Sequence, residues 1–316
     1  MKATFFAVLF LFPLFLQAQD TLPEPEYFPV IAYWSAGDSF RYDRIKGEKN
    51  YENGLVKDSS EQKDQLLWVV SEATDTTYVV RVFPEGELCG ASAVKAGLSM
   101  EDLMQTTQGL DFMYLEFVTD AEGSFLEFRH IDEMYKVYAA LMDTVITRKF
   151  GDQKKQKDLG FVLDKIKSRA FFEATFLEEI PVMQKFYGLQ YALDSVWEFD
   201  MHMSNPLNSK EVITIPNELL TTMPAEWGGL LRLENTISLK GEQAKAYVKG
   251  LFSESGNPAQ KADDLFKEKP LTFEFYISYA IYPDTGVLHS MYYTMTSFLG
   301  GELYRQKYTE LFLEED

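Results

Sequence analysis

The residues able to do acid–base or metal chemistry are few in this chain, and they do not form a complete site. The three histidines are His130, His202 and His289. His130 with Asp132, or Asp200 with His202, would place two metal ligands on one face, whereas a zinc site needs three or four. Ordinary surface or half-buried histidines are the simpler interpretation, and we predict that no transition metal is bound.

Other chemical signals are weaker still. Glu178 and Glu179 have the composition of a glycosidase carboxylate pair, but neighbouring helix residues point about 100° apart and do not converge. Cys89, the only cysteine, is most simply a small buried residue rather than a reactive thiol. The sequence shows no nucleophile elbow, phosphate loop, dinucleotide fingerprint or calcium loop. We assign no catalytic, cofactor-binding or metal residue, expect no cofactor, leave ligand-binding residues unknown, and favour a non-enzyme.

The N-terminus has the features of a secretory signal peptide. Lys2 precedes an apolar run over residues 5–16, which is shorter than the roughly 20 residues that a bilayer-spanning helix needs. Ala18 suits cleavage before Gln19, and no cysteine follows that would be acylated. We expect residues 1–18 to be removed and the mature protein to be secreted or periplasmic, soluble and not a lipoprotein.

Composition narrows the class of partner. The chain has 30 basic and 49 acidic residues, a net charge of −19, which becomes −20 when Lys2 leaves with the signal peptide. Such a surface repels nucleic acid and anionic lipid. With 46% hydrophobic and 15% aromatic residues the chain can bury a large core, and a single cysteine precludes an internal disulfide. We expect no nucleic-acid partner and no transmembrane segment in the mature chain.

Alternating β-branched and aromatic residues predict a first β-rich half over residues 27–130. Strands are expected at residues 37–42, 65–70, 77–83, 112–117 and 124–128. The capping-box spacing of Ser99 and Asp102 predicts a short helix that ends near Gln108. The last two strands form a hairpin that turns at residues 120–123, where Gly123 is able to take a positive φ.

A helical connector is predicted over residues 131–187. One apolar stripe with helical spacing consists of Ile131, Met134, Tyr138, Leu141 and Val145. A second helical region is expected from about Leu159 to Tyr187, with a break at Pro181. Lysines and an arginine over residues 154–169 make a basic island, which we interpret as a solvated surface that pairs with acidic groups rather than as an anion site.

The second β-rich half, over residues 188–316, repeats the order of the first. Strands are expected at residues 194–199, 230–233, 246–252, 273–281, 287–295 and 303–312. A helix begins at Asn257 and Pro258, and a turn at residues 283–286 places Gly286 where Gly123 lies in the first half. An internal duplication explains this order, and chance recurrence of strand and turn signals is the alternative.

Three short motifs carry a resemblance. The signal ending Gln17-Ala18-Gln19, the strand opening Gly37-Asp38-Ser39-Phe40, and the turn Asp284-Thr285-Gly286 before Val287-Leu288 resemble those of uncharacterised secreted proteins of bacteroidete-type bacteria. Some of these are similar to the half-open barrels of periplasmic lipoprotein carriers. The resemblance implies a curved sheet with helices across its concave face and an apolar pocket. It implies no numbered functional residue, and the helical connector departs from it.

The sequence therefore predicts an α+β protein in which two antiparallel sheet blocks are joined by a helical middle. The alternative is one large half-open antiparallel barrel with helices on its concave face. The favoured function is that of an exported, non-enzymatic binding protein of the cell envelope or medium, whose ligand is apolar or is a partner protein. A hydrolase of unrecognised family and a structural envelope component are the alternatives. Four tryptophans either line a cavity or build the sheet core: Trp34, Trp68, Trp197 and Trp227.

Overall fold

The structure of the chain is a computed structural model. It describes residues 26–85, 114–149, 164, 167–177, 179–205, 208–225, 228–246 and 270–314. Several sequence predictions lie outside these described residues: the signal peptide, the environment of Cys89, the helix after Ser99, most of the basic island, Trp227, and the helix from Asn257.

Antiparallel strands dominate the described residues. The strands are β1 (Tyr27–Val30), β2 (Ser39–Glu52), β3 (Leu55–Ala73), β4 (Thr77–Glu85), β5 (Leu115–Asp120), β6 (Phe125–Arg129), β7 (Leu189–Ala192), β8 (Ser195–Asn205), β9 (Asn208–Thr222), β10 (Leu231–Leu239), β11 (Leu271–Tyr282), β12 (Val287–Leu299) and β13 (Glu302–Leu313). The helices are α1 (Ile131–Lys149), α2 (Arg169–Phe176) and α3 (Glu179–Met183).

Eleven of these strands form one sheet in the order β6-β5-β4-β3-β2-β13-β12-β11-β10-β9-β8, and β1 pairs separately with β7. Strand β13 joins the two halves, because it pairs with β2 from Arg305 opposite Asn50 to Leu313 opposite Tyr42. The prediction of two separate sheet blocks, each a packed copy, is therefore wrong. Strand β2 has backbone amide and carbonyl groups along both of its edges. Strand β3 pairs with one edge and β13 pairs with the other. The alternative was one large half-open antiparallel barrel with helices on its concave face, and its single large sheet is consistent with this topology.

The helical middle is not confirmed as one connector, although three separate helices lie within it. The helix predicted from the stripe beginning at Ile131 is α1, which buries Tyr138 against α2. The second helical region consists, where it is described, of the short helices α2 and α3. Helix α2 begins after Ser168, whose hydroxyl accepts a hydrogen bond from the Phe171 amide (3.2 Å), as a capping serine does. A continuous helix up to Tyr187 is not observed.

Several strand predictions need correction. The predicted strand at residues 246–252 begins on helical residues 242–246, and its remainder lies outside the described residues. Strands β1, β7 and β9 were not predicted. Strands β2 and β3 extend far beyond their predicted ends. The prediction stopped short because the distal halves of these strands are polar on both faces and have no apolar alternation. Asn53 and Gly54, both at positive φ, form the tight turn between them.

The sheet is strongly bent, as two of its hairpin turns show. The nearest strands of the β5–β6 turn and the β11–β12 turn, β5 and β12, are five strand positions apart, or roughly 24 Å in a flat sheet. Yet the Ala32 amide donates to the Glu122 carbonyl (2.9 Å) and the adjacent Tyr33 amide donates to the Thr285 carbonyl (3.2 Å). Both turns therefore meet one extended segment, residues 31–34, which requires that the sheet curl around it.

The glycines at these turns have the predicted conformation. Gly123 has φ +95° and Gly286 has φ +65°, so both sequence predictions are confirmed. Each also lies against the bridging segment. A Cβ on Gly286 would lie 1.9 Å from the Ile31 carbonyl oxygen, and one on Gly123 would lie 2.7 Å from the Tyr187 ring. Glycine is required there by close approach as well as by backbone conformation.

We predict that Gly286→Ala destabilises the protein more than Gly54→Ala does. Both glycines have positive φ, which costs an alanine roughly 1–2 kcal/mol, but a Cβ on Gly54 has no atom within 4 Å. The clash at Gly286 adds roughly 1–3 kcal/mol through displaced packing. Chemical denaturation of both variants measures the difference. Equal losses of unfolding free energy would show that residues 31–34 do not press on this turn.

Candidate binding site

The middle of the inner face of the sheet is occupied by a compact unit that we call the plug, residues 27–34 and 179–192. It consists of β1 and the bridging segment, α3 with its following turn, and β7, and the register between β1 and β7 runs from Tyr27 opposite Ala192 to Val30 opposite Leu189. The plug shares one hydrophobic core with the sheet. Its own buried side chains there are Val30, Ala32, Trp34, Ile180, Met183, Phe186, Tyr187 and Tyr191.

The sheet contributes large buried side chains from strands far apart in its order. They include Tyr42, Trp68, Phe117, Tyr279 and Leu311. Trp34 and Trp68 are thus core residues, and their rings contact neighbouring aromatics edge-on, as between Trp34 and Tyr187 (5.7 Å between centroids). The interpretation of these two tryptophans as sheet core is confirmed. The centre of the inner face is filled by the chain itself.

Tyrosine hydroxyls fasten the plug through backbone carbonyls. Tyr187 donates to the Gly286 carbonyl (2.5 Å), and Tyr279 on β11 donates to the Val182 carbonyl (2.6 Å). Tyr191 donates to the Phe186 carbonyl (3.0 Å) within the plug. Burial raises the pKa of each of these hydroxyls, and it also raises that of the fully buried Tyr42. Neutral tyrosines satisfy these carbonyls without bringing charge into the core.

Beyond the plug, the inner face of β2, β3 and β13 carries a network of charges. Arg44 binds Asp64 through two hydrogen bonds of 2.6 Å, and both Arg44 (2.8 Å) and Lys46 (2.5 Å) contact the Glu179 carboxylate. Burial by itself would lower the pKa of Arg44, but the hydrogen bonds and charges of Asp64 and Glu179 raise it. Because Glu179 begins α3, this network holds one end of the plug to the sheet.

The network continues along β13. Arg305 donates to the Glu48 carboxylate (2.6 Å), and this hydrogen bond lowers the pKa of Glu48. Lys307, the next inward residue of β13, is exposed and lies directly opposite Met295 on β12. The inner face therefore changes from charged to apolar between these two adjacent strands.

The apolar side of this boundary is a second hydrophobic cluster on β9 to β12. Its buried members are Ile215, Ile237, Leu239, Ala244, Phe273 and Phe275. At its border Leu271, Tyr293 and Met295 are only partly buried. The described part of the structure thus contains an apolar wall that is incompletely covered and adjoins the charged network at Lys307.

A buried polar pair separates this wall from the plug. Asn235 is fully buried, and its amide nitrogen donates to the Asn217 side-chain oxygen (2.5 Å) and to the Glu218 carbonyl (2.8 Å). Because both partners are acceptors, the orientation of the Asn235 amide is fixed. Its own Oδ1 has no hydrogen-bond partner among the described residues. This buried acceptor lies at the inner end of the apolar wall.

In the structure, the residues of the first metal pair suggested by the sequence have other partners. Asp132 is ion-paired with Arg169, while His130 lies 3.7 Å from the buried Glu116 carboxylate. Asp200 is exposed on β8, the strand that also carries His202. His289 lies on β12, where its ring contacts Tyr282 (5.5 Å). Within the described ranges, no group of three potential ligands could hold a metal ion.

The remaining sequence candidates have structural partners. Glu179 pairs with Arg44 and Lys46 rather than acting with Glu178, which lies outside the described residues. In the described end of the basic island, Lys167 pairs with Asp143, and Arg169 pairs with acidic residues on both helices. That part of the island is a charge-paired surface, as interpreted from the sequence.

Sequence reasoning missed the residues that shape this site. Asn217 and Asn235 lie in strands that alternate apolar and other residues, and the polar residue at an inward position was the available signal. The charges of β2 and β3 were missed because those segments were not assigned to strands.

Of the described helices, none has the length and apolarity to cross a membrane, including the 19-residue α1.

The comparisons with known proteins are sparse. No family model matches the chain, and no curated protein matches it. It is similar to a solved structure described as "Lipid-protein interactions in lipovitellin", with a TM-score of 0.40 and 9% identity. The match covers 89% of this chain and 25% of that chain, so this chain spans about a quarter of its length. A likeness at this TM-score carries no argument about fold or ligand.

The buried tyrosines predict a steep loss of stability at high pH. Unfolded tyrosines ionise near pH 10, while those whose pKa burial raises stay protonated in the folded protein. Their contribution is therefore complete below pH 10 and falls above it by about 1.4 kcal/mol per pH unit for each tyrosine. Tyr187→Phe should reduce this slope by about 1.4 kcal/mol per pH unit relative to the wild-type protein. Denaturation curves between pH 9 and 11.5 measure the slopes, and identical slopes would contradict the burial of Tyr187.

Proposed function

We propose that this chain is an exported, non-enzymatic binding protein that holds an apolar ligand on the inner face of its curved sheet. The mature chain would begin at Gln19 and act in the periplasm or the medium without a lipid anchor. The observation that carries the proposal is the incompletely covered apolar wall around Phe275 and Met295. Apolar surface of this kind on a concave face is the usual lining of a ligand site.

The neighbouring polar groups favour a ligand with one polar end. Lys307 stands at one border of the wall, directly opposite Met295, and the free acceptor of Asn235 stands near the other. A long apolar molecule would bury its chain against the partly buried Leu271, Tyr293 and Met295 and turn its polar end toward Lys307. Removal of its apolar surface from water would supply about 25 cal/mol for each Å² buried.

The alternative functions would require different features beside the apolar wall. A hydrolase would need a nucleophile or a pair of converging carboxylates beside the wall. Lys307 at its border is neither, and beyond Lys307 the Glu48 carboxylate is bound to Arg305. A structural envelope component would have no need for the wall to be open at Met295. The partner-protein form of the binding hypothesis has support at a different place on the molecule, the edge strand β8.

We predict that Met295→Gln weakens binding of the neutral fluorescent probe N-phenyl-1-naphthylamine at least fivefold. The change places a polar amide on the apolar wall at nearly the same side-chain length. Thr296→Gln is the matched control, because Thr296 is the next residue on the same strand and points to the opposite face of the sheet. It should change the probe affinity less than twofold. Fluorescence titration of protein that begins at Gln19 provides the measurement.

Two results would overturn the proposed function. The first is a protein that does not bind the probe at all, and the second is an equal effect of the two substitutions. Mass spectrometry of a solvent extract of protein from its native host adds an independent observation, since an amphiphile in stoichiometric amount would identify the ligand.

A further inference from the structure

Strand β8 forms one end of the eleven-stranded sheet, and in the described part of the chain it pairs only with β9. It is eleven residues long. Every second residue of such an edge strand directs its amide and carbonyl groups away from the sheet, which makes it a template for another strand. Natural edge strands are commonly blocked by lysine or proline, and β8 contains neither.

The edge is unusually apolar as well as open. Val196 is 58% exposed, Trp197 is 40% exposed and Phe199 is 39% exposed. Trp197 is held in place, because its indole nitrogen donates to the Ser195 hydroxyl (2.9 Å) and its ring contacts Tyr191 of the plug (6.4 Å between centroids). A fixed, half-exposed aromatic side chain is typical of the residues that carry binding energy at protein interfaces.

The charged side chains near this edge indicate which kind of partner would fit it. Glu198 and Asp200 on β8 share one face with Glu218, which lies directly opposite Glu198 on β9. All three carboxylates are exposed, and within the described residues none makes an ion pair. They line a cleft of about 770 Å³ together with a single cation, Lys240. Like charges in directly opposed positions on adjacent strands destabilise a sheet, so a cationic partner would relieve this repulsion.

We propose that β8 is a docking strand for an extended, cationic segment of a partner protein. The segment would pair with the free edge of β8, place basic side chains against Glu198, Asp200 and Glu218, and pack apolar side chains on Trp197 and Phe199. Backbone pairing supplies affinity in this mode of recognition, and the alternate side chains supply specificity. A second copy of this chain fits less well, because it would bring the same carboxylates to the edge of a protein whose net charge is −19.

The test uses the full mature chain and two synthetic peptides, TKVKFKVKT and TEVEFEVET, which share their apolar residues and differ in charge. The cationic peptide should bind, change Trp197 fluorescence, and slow amide hydrogen exchange over residues 195–205. Its affinity should fall as salt is raised. The double variant Glu198→Lys, Asp200→Lys should weaken binding at least tenfold. Glu127→Lys, at an exposed position on the opposite edge strand β6, should change it less than twofold.

Four results with the peptides and the variants would overturn the proposal. They are failure of the cationic peptide to bind, equal binding of the acidic peptide, slowed exchange outside β8, and equal effects of the β8 and β6 variants. If sedimentation shows a dimer in which the amides of β8 are protected without peptide, the occupant is a second copy and the partner proposal is wrong. Circular dichroism of each variant confirms that the exposed substitutions leave the fold intact.

Discussion

The arrangement of this protein depends on one short stretch of backbone, residues 31–34, held between two hairpin turns. Adjacent amides in an extended chain point in opposite directions. The amides of Ala32 and Tyr33 accordingly donate to different turns, to the carbonyl of Glu122 and to that of Thr285. Because these turns belong to distant strands of one sheet, the two hydrogen bonds fix its curvature. The close contacts at Gly123 and Gly286 follow from the same constraint.

Curvature in turn divides the inner face into three regions. The plug fills the middle, where neutral tyrosines bind backbone carbonyls. Paired charges cover β2, β3 and β13 on one side, and Glu179 links them to the plug. The apolar wall on β9 to β12 is the third region, and its border is only partly buried. Burial of a charge without a partner is costly, and Arg44 and Arg305 are already paired with carboxylates. The apolar wall is therefore the region of the inner face that a bound ligand would stabilise most.

The sequence allowed prediction of those features in which local pattern and global fold agree. The strands around Val80 and Phe275 alternate because one face is buried, and the stripe of α1 has helical spacing for the same reason. The glycines of the two turns were predicted from turn chemistry. Strand β9 was missed because polar residues, Asn217 among them, occupy inward positions, and the outer halves of β2 and β3 were missed because neither face is apolar.

Long-range pairing was the part that local patterns could not determine. The sequence suggested two copies because strand, helix and turn signals recur in order. The decisive contact is between β2 and β13, whose pairing joins residues more than 250 positions apart, such as Asn50 and Arg305. No periodicity within either strand specifies that partner. The apolar wall and the edge of β8 are likewise consequences of which strands become neighbours and which strand is last.

The most direct test of this account is whether Ala32 touches both turns in solution. Nuclear Overhauser contacts of the Ala32 methyl and α protons report this in one experiment on the isotopically labelled protein. The account predicts contacts from Ala32 to Gly123 and to Gly286 in the same spectrum, since both glycines lie against residues 31 and 32. Contact with one turn and not the other would contradict the bent sheet and, with it, the division of its inner face.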